Sequence, residues 1–116
     1  MHEVWGKVLL DGWRGELGPA TVYVRLLDTS RIDAPAHTID EVVFQDVSLD
    51  QAQFDGIEFC VSTQELDVRA RYEIYALVDL DGDGEVSVGD YVNTSSYPVL
   101  TRGYPDRVEV HVHPIG

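Results

Sequence analysis

Residues 79–90 carry oxygen-bearing side chains at a spacing that suits a calcium ion. In calcium loops of twelve residues the ligands come from positions 1, 3, 5, 7, 9 and 12, and position 6 is a glycine that allows a sharp turn. Position 7 binds through its backbone carbonyl, and Gly84 stands at position 6 of this segment. The predicted calcium ligands are Asp79, Asp81, Asp83, Glu85, Ser87 and Asp90.

The pattern departs from the usual one at position 12, where Asp90 replaces a bidentate glutamate. The shorter side chain reaches less far, so the spacing predicts weak affinity for Ca2+. Val86 at position 8 is expected to be buried beneath the ion. A polar turn rich in aspartate and glycine is the alternative interpretation. We favour calcium because four carboxylates in one turn repel one another without a cation.

The segments on both sides of this loop favour strands rather than the helices of an EF-hand. Residues 71–78 and 91–97 are rich in β-branched and aromatic side chains, and the second segment ends at Pro98. A calcium sensor works by reorienting two helices. A loop between two strands therefore predicts a structural ion rather than a signalling one.

The last predicted strand offers a second group of possible metal ligands. Glu109, His111 and His113 share one face of it, because alternate residues of a strand point the same way. Two imidazoles and a carboxylate could bind a transition metal and support a metal-dependent enzyme. We favour a solvent-facing polar stripe, since the sequence places no third histidine beside the pair. Without a nucleophile triad, phosphate loop or dinucleotide fingerprint, the chain is predicted not to be an enzyme.

Composition limits the class of protein and its partners. The chain has 116 residues, of which 44% are hydrophobic, and this predicts a single domain over residues 1–116. Its net charge of −13 argues against nucleic acid and anionic membrane surfaces as partners. No apolar run approaches the roughly 20 residues of a membrane-spanning helix. Cys60 is the single cysteine, which excludes an intrachain disulfide, and its thiol is expected in the core.

The elements that must position these residues are short strands separated by turn residues, and no segment has a sustained helical period. Residues 57–61 and 71–78 are expected at the centre of the fold, and 62–68 are expected to hold one helical turn. The pattern predicts an all-β fold, a single β-sandwich of about seven to eight strands with a transthyretin- or immunoglobulin-like arrangement. The predicted strands cover residues 3–10, 20–27, 38–47, 57–61, 71–78, 91–97 and 107–113.

Residues 20–35 resemble the signature of the YbaY/YscW family, in which a strand ending in Leu-x-Asp precedes Ser-x-x-Asp-Ala-Pro. The similarity continues in residues 4–8, 57–72 and 97–103. The resemblance implies a β-sandwich and a small bacterial envelope protein, often a lipoprotein. The best understood branch acts as a pilotin that cradles a peptide segment of a type III secretion secretin. It also implies a short hairpin where this chain has residues 79–90, so the calcium loop is expected to be an insertion.

Together these observations predict a non-catalytic calcium-binding module of the cell envelope, periplasmic or extracellular, with the ion in a structural role. The first alternative is a pilotin-like chaperone that binds a protein client on a sheet face or edge. That function requires an exposed apolar patch, for which Trp5, Trp13 and Tyr23 are candidates. The second alternative is an enzyme that uses a metal on the last strand.

Overall fold

A computed structural model of the chain describes residues 1–11, 19–31, 33–49, 55–82 and 84–115. Within these ranges the all-β prediction is confirmed, and eight strands are present. Inward positions alternate with outward ones along most strands, as the pleat of a β-strand requires. The strands are β1 (His2–Leu10), β2 (Ala20–Asp28), β3 (His37–Val47), β4 (Ile57–Thr63), β5 (Tyr72–Asp79), β6 (Tyr91–Val92), β7 (Pro98–Val99) and β8 (Arg107–Pro114).

The strands belong to one continuous sheet rather than to the two separate sheets of the predicted sandwich. Their order is β3-β2-β5-β6-β8-β1-β4, with β7 paired to β5 beside this path. β8 joins the two halves, because residues 107–112 pair in parallel with β1 and residues 113–114 pair with β6. The sheet curls into a nearly closed barrel, and this continuity through β8 corrects the sandwich prediction.

The two ends of the sheet, β3 and β4, approach each other without backbone pairing among the described residues. The amide of Ser62 instead donates a hydrogen bond to Asp40 Oδ2 at 2.8 Å. A side-chain bridge of this kind holds the edges near each other but leaves other edge groups unpaired. We call the gap between β3 and β4 the seam, because an unpaired edge can accept a partner.

The inward residues of the strands form the core, and along β2 buried residues alternate with partly buried ones. β5 lies between β2 and β6, as expected for a central strand. β4 lies at the end of the strand order, so the prediction that it is central is wrong. The most deeply buried apolar side chains are Val4, Val8, Val22, Val24, Leu26, Leu49, Val61, Ile74, Ala76, Leu77, Val78, Tyr91, Val99, Val110 and Val112.

The strand predicted over residues 91–97 is interrupted after its second residue. Asn93 ends β6 because its side-chain Oδ1, rather than a backbone carbonyl, accepts the amide of Ala76 at 2.9 Å. Pairing with β5 resumes at β7, where Tyr72 lies opposite Val99. Side-chain acceptors of this kind compete with the ladder, and local sequence patterns do not reveal them.

The helical turn expected within residues 62–68 is also absent from the described structure. Residues 62 and 63 complete β4, and the chain then follows bends and turns to residue 70. Asp67 Oδ1 accepts the amide of Arg69 at 2.9 Å, and the Asp67 carbonyl accepts the amide of Ala70 at 3.0 Å. Local bonds of this kind replace helical ones.

Within the described ranges, no helix has the length and apolarity that a membrane crossing requires.

Candidate functional site

A groove of about 770 Å³ opens along the seam. Its floor consists of inward-facing residues from four strands, of which Val42, Phe44 and Val108 are only partly buried. Val42 and Phe44 of β3 face Phe59 of β4 across the groove, and Gly6 and Val108 complete the floor. The strand register places Phe59, Gly6 and Val108 in one row across β4, β1 and β8. The floor is therefore apolar and is built on regular strands.

Gly6 allows Phe59 of β4 and the backbone of β8 to pack closely against β1. A Cβ atom at this position would lie 2.2 Å from the carbonyl oxygen of Val108 and 2.8 Å from Cζ of Phe59. No side chain fits between these atoms, because real Cβ contacts below 3.0 Å are essentially never found. The phenyl ring of Phe59 therefore lies against bare backbone at the base of the groove.

The rim of the groove is formed by outward-facing residues. Trp5 is the large apolar member, and 49% of its surface is exposed. Lys7 Nζ and Glu58 Oε1 lie 3.9 Å apart, and such an exposed pair contributes little to stability. An apolar centre with a polar rim is typical of protein interfaces. The rim residues are Trp5, Lys7, Glu58, Cys60, Arg107 and Glu109.

Cys60 lies on this rim rather than in the core, so the prediction for its thiol is wrong. The reason is strand alternation, because Cys60 lies between the inward-facing Phe59 and Val61 and is only partly buried. Its Sγ is 3.4 Å from Glu3 Oε2. Burial raises the pKa of the thiol above its ordinary value of 9.0, and Glu3 and the charge of Asp40 raise it further. The thiol is thus protonated at neutral pH, which lowers its reactivity.

The apolar patch predicted from Trp5, Trp13 and Tyr23 is not assembled as a unit. Trp5 lines the groove, whereas Tyr23 lies on β2 beside Arg25, whose guanidinium carbon is 5.8 Å from its ring centre. Trp13 lies outside the described residues. Val42 and Phe44 were not predicted as site residues, because the place of their strand at the end of the sheet cannot be read from a single sequence.

The predicted calcium loop brings three of its carboxylates together. Asp79 is the last residue of β5, and both it and Asp90 are 1% exposed. Carboxylate oxygens of Asp79, Asp81 and Asp90 all lie within 4.8 Å of one another. Because Ca–O distances are about 2.4 Å, one calcium ion could contact all three residues. Asp83 lies outside the described residues.

Backbone amides hold the carboxylate of Asp79 in place. Its Oδ1 accepts the amide of Gly82 at 3.0 Å, and its Oδ2 accepts the amide of Gly84 at 2.6 Å. Burial is the largest influence on Asp79, and it raises the pKa of the carboxyl group above the ordinary value. The hydrogen bond with Asp81 and the charge of Asp90 raise the pKa further, while the two amides oppose the change.

The carboxylate of Asp90 accepts hydrogen bonds from two backbone amides of its own loop. Its Oδ1 accepts the amide of Leu80 at 2.8 Å, and its Oδ2 accepts the amide of Ser87 at 3.0 Å. The Ser87 hydroxyl also lies 2.9 Å from Asp81 Oδ2. Val86 is 49% exposed, so the prediction that it is buried is wrong. Glu85, expected to contribute only its carbonyl, is exposed on the same loop.

The polar stripe of β8 faces outward as predicted, opposite the buried Val110 and Val112. Its three members nevertheless do not form one group. Glu109 lies on the groove rim, whereas His111 and His113 approach Asp11. The predicted combination of Glu109 with two histidines is therefore not assembled.

Comparison with known proteins identifies a family and a fold. The sequence profile of the family described as "Type III secretion system lipoprotein chaperone (YscW)" matches residues 3–112. The structure is similar to an alternative pilotin from the type II secretion system of Vibrio cholerae, with a TM-score of 0.73 and 19% sequence identity. The alignment covers 98% of this chain and 96% of that one. No curated protein sequence matches the chain.

These findings correct the function predicted from the sequence. The calcium loop led to the prediction of a structural calcium-binding module, but the family match extends over residues 3–112 and is to a chaperone. It favours the first alternative, a pilotin-like chaperone. The family description also agrees with the expectation of a non-catalytic protein.

Proposed function

Since the chain belongs to the family of type III secretion system lipoprotein chaperones, we propose that it is a pilotin-like chaperone of the cell envelope. Its client is a segment of a secretion-system protein, which places apolar side chains in the groove along the seam. The likeness to a type II pilotin supports the same class of function. Among the described residues, none of the acidic loop lines the groove, so the proposed client contacts do not involve it.

The observation that carries this proposal is the partly exposed apolar floor of the groove. Val42, Phe44 and Val108 keep part of their surface accessible although each faces inward. Removing such surface from water favours association, and the ordering of the client offsets part of that gain. The unpaired edges of β3 and β4 can also add backbone hydrogen bonds to an extended client. The net charge of −13 favours association with a basic client segment.

The single cysteine on the groove rim provides a direct test. An overlapping set of synthetic peptides, covering the secretins of the organism that encodes the chain, is added to the protein before labelling of Cys60 with a maleimide. A bound peptide covers the rim, so we expect one contiguous peptide region to slow the labelling at least several-fold. The rate is followed by intact-protein mass spectrometry at one fixed pH.

A relocated cysteine serves as the control. In the Cys60→Ser, Val43→Cys protein the thiol lies on the opposite face of β3, where Val43 is 41% exposed. Its labelling rate should not change with the same peptides. If every peptide leaves Cys60 as reactive as before, or slows both thiols equally, the proposed client groove is wrong.

We also propose that residues 79–90 bind one calcium ion through Asp79, Asp81, Asp83, Ser87 and Asp90, with the Glu85 carbonyl as the sixth ligand. The support is the ligand spacing in the sequence and the approach of three carboxylates to within 4.8 Å. We expect a dissociation constant of ~10⁻⁵ to 10⁻³ M, because position 12 is an aspartate and no helices flank the loop.

Calcium should therefore raise the melting temperature of the protein relative to a chelator. An ion that binds only the folded state stabilises it by about 2.7 kcal/mol when its concentration is 100-fold above the dissociation constant. Asp79→Asn should abolish this calcium-dependent rise, and Asp106→Asn, at an exposed site outside the loop, should retain it. Calorimetry that detects no calcium binding to the wild-type protein would exclude the site.

A further inference from the structure

Two histidines and an aspartate from opposite ends of the chain meet on the wall of the barrel. His111 Nδ1 lies 3.1 Å from both carboxylate oxygens of Asp11. His113 Nε2 lies 3.7 Å from Asp11 Oδ2. All three side chains are about half exposed, with 42% to 44% of their surface accessible. One carboxylate therefore lies between two imidazoles at a position that solvent reaches.

The backbone around these residues is ordered by strand pairing. The Asp11 amide donates to the Val112 carbonyl at 2.9 Å, which continues the parallel pairing of β1 and β8 beyond the end of β1. This bond places Asp11 beside the residue between the two histidines. His113 pairs with Val92 of β6, and the His111 amide donates to the Tyr97 hydroxyl at 3.0 Å. The two histidines thus project from β8 and Asp11 from the residue that follows β1, at positions fixed by the backbone pairing.

We propose that Asp11, His111 and His113 form a binding site for a divalent transition metal, with zinc as the favoured ion. Zinc binds imidazole nitrogen and carboxylate oxygen at about 2.0–2.2 Å in a tetrahedron, which places neighbouring donor atoms about 3.3 Å apart. The contacts of 3.1 and 3.7 Å between the carboxylate and the two rings bracket this separation. Water supplies the fourth ligand, since the site is open to solvent.

Binding requires the two rings to rearrange, because the donor atoms of Asp11, His111 and His113 do not all lie within 4.8 Å of one another. The two imidazoles must therefore turn toward each other around the carboxylate, and their exposure leaves room for that rotation. The histidine site and the acidic loop should bind different ions. Nitrogen ligands suit zinc, copper and nickel, whereas all-oxygen sites suit calcium and magnesium.

The test is titration of the full chain with zinc sulfate, followed by isothermal calorimetry in millimolar magnesium, which competes for the oxygen ligands of the acidic loop. We expect one zinc ion per chain. Each of His111→Gln, His113→Gln and Asp11→Asn should weaken zinc binding by about tenfold or more. These substitutions lie on the surface and should leave the fold intact. The visible absorbance of bound cobalt reports the coordination geometry and should change in the same variants.

Three control variants define the ligand set. His37→Gln removes an exposed histidine on β3, Glu109→Gln removes the third member of the polar stripe, and Cys60→Ser removes the thiol. All three should bind zinc as the wild-type protein does. Zinc binding that survives His111→Gln and His113→Gln, or that is lost with any control variant, would overturn the assignment, and absence of zinc binding to the wild type would do the same. None of these outcomes depends on the client groove.

Discussion

Replacement of Val42 with glutamate will weaken binding of a client peptide by roughly thirtyfold, whereas Val43→Glu will leave it within about twofold. Val42 contributes to the apolar floor of the groove, and its neighbour points to the opposite face of β3. A carboxylate on the floor would be desolvated by the client without a partner, which is strongly unfavourable. On the outer face the same carboxylate stays in water.

The two variants form a matched pair because they change the net charge of the protein equally. Any general effect of an added negative charge on association with a basic peptide is therefore the same in both. Binding is measured by fluorescence anisotropy with the peptide that protects Cys60, and melting curves confirm that both proteins are folded. Trp5→Ala, on the rim, provides a second test with little effect on the core. Equal affinities for the two glutamate variants would show that the client binds elsewhere.

The strands could be predicted from the sequence because their signal is local. The alternation of Ala20, Val22, Val24 and Leu26 fixes both the extended conformation and the buried face of β2. The closure of the sheet could not be predicted in this way. It depends on β8 pairing with β1 at one end and with β6 at the other, and such pairings join residues far apart in the chain. A continuous barrel and a sandwich show the same alternation of buried and exposed residues, so this alternation does not distinguish the two folds.

The same distinction applies to the sites. The carboxylates of residues 79–90 are close in sequence, so spacing alone predicted that Asp79, Asp81 and Asp90 would meet. The contact between His111 and Asp11 spans 100 positions, and no local pattern links them. The groove has no motif either, because ordinary inward-facing residues of β1, β3, β4 and β8 form its floor. The position of the groove follows from the strand order, which cannot be read from a single sequence.

Gly6→Ala will destabilise the protein by about 3 kcal/mol, the upper end of the range for overpacking. The added Cβ would lie 2.2 Å from the Val108 carbonyl oxygen, and a backbone atom within a paired strand cannot move aside. Phe59, at 2.8 Å, would also have to leave the floor of the groove. In the Gly6→Ala protein, the additional substitution Phe59→Leu should therefore not restore stability. The closest contact of the new Cβ is with the Val108 carbonyl oxygen rather than with the Phe59 ring.

Gly103→Ala is the control, since it separates steric overlap from the conformational freedom of glycine. Gly103 has a φ of +82° and no heavy atom within 4 Å of an added Cβ, so alanine there should reduce stability by only about 1 kcal/mol. Urea unfolding followed by circular dichroism measures both losses. If Gly6→Ala loses no more stability than Gly103→Ala, then β1, β4 and β8 are not packed as closely as the floor of the groove requires. The described floor of the client groove would then be wrong, because it depends on the contact of the Phe59 ring with the backbone of β1 at Gly6.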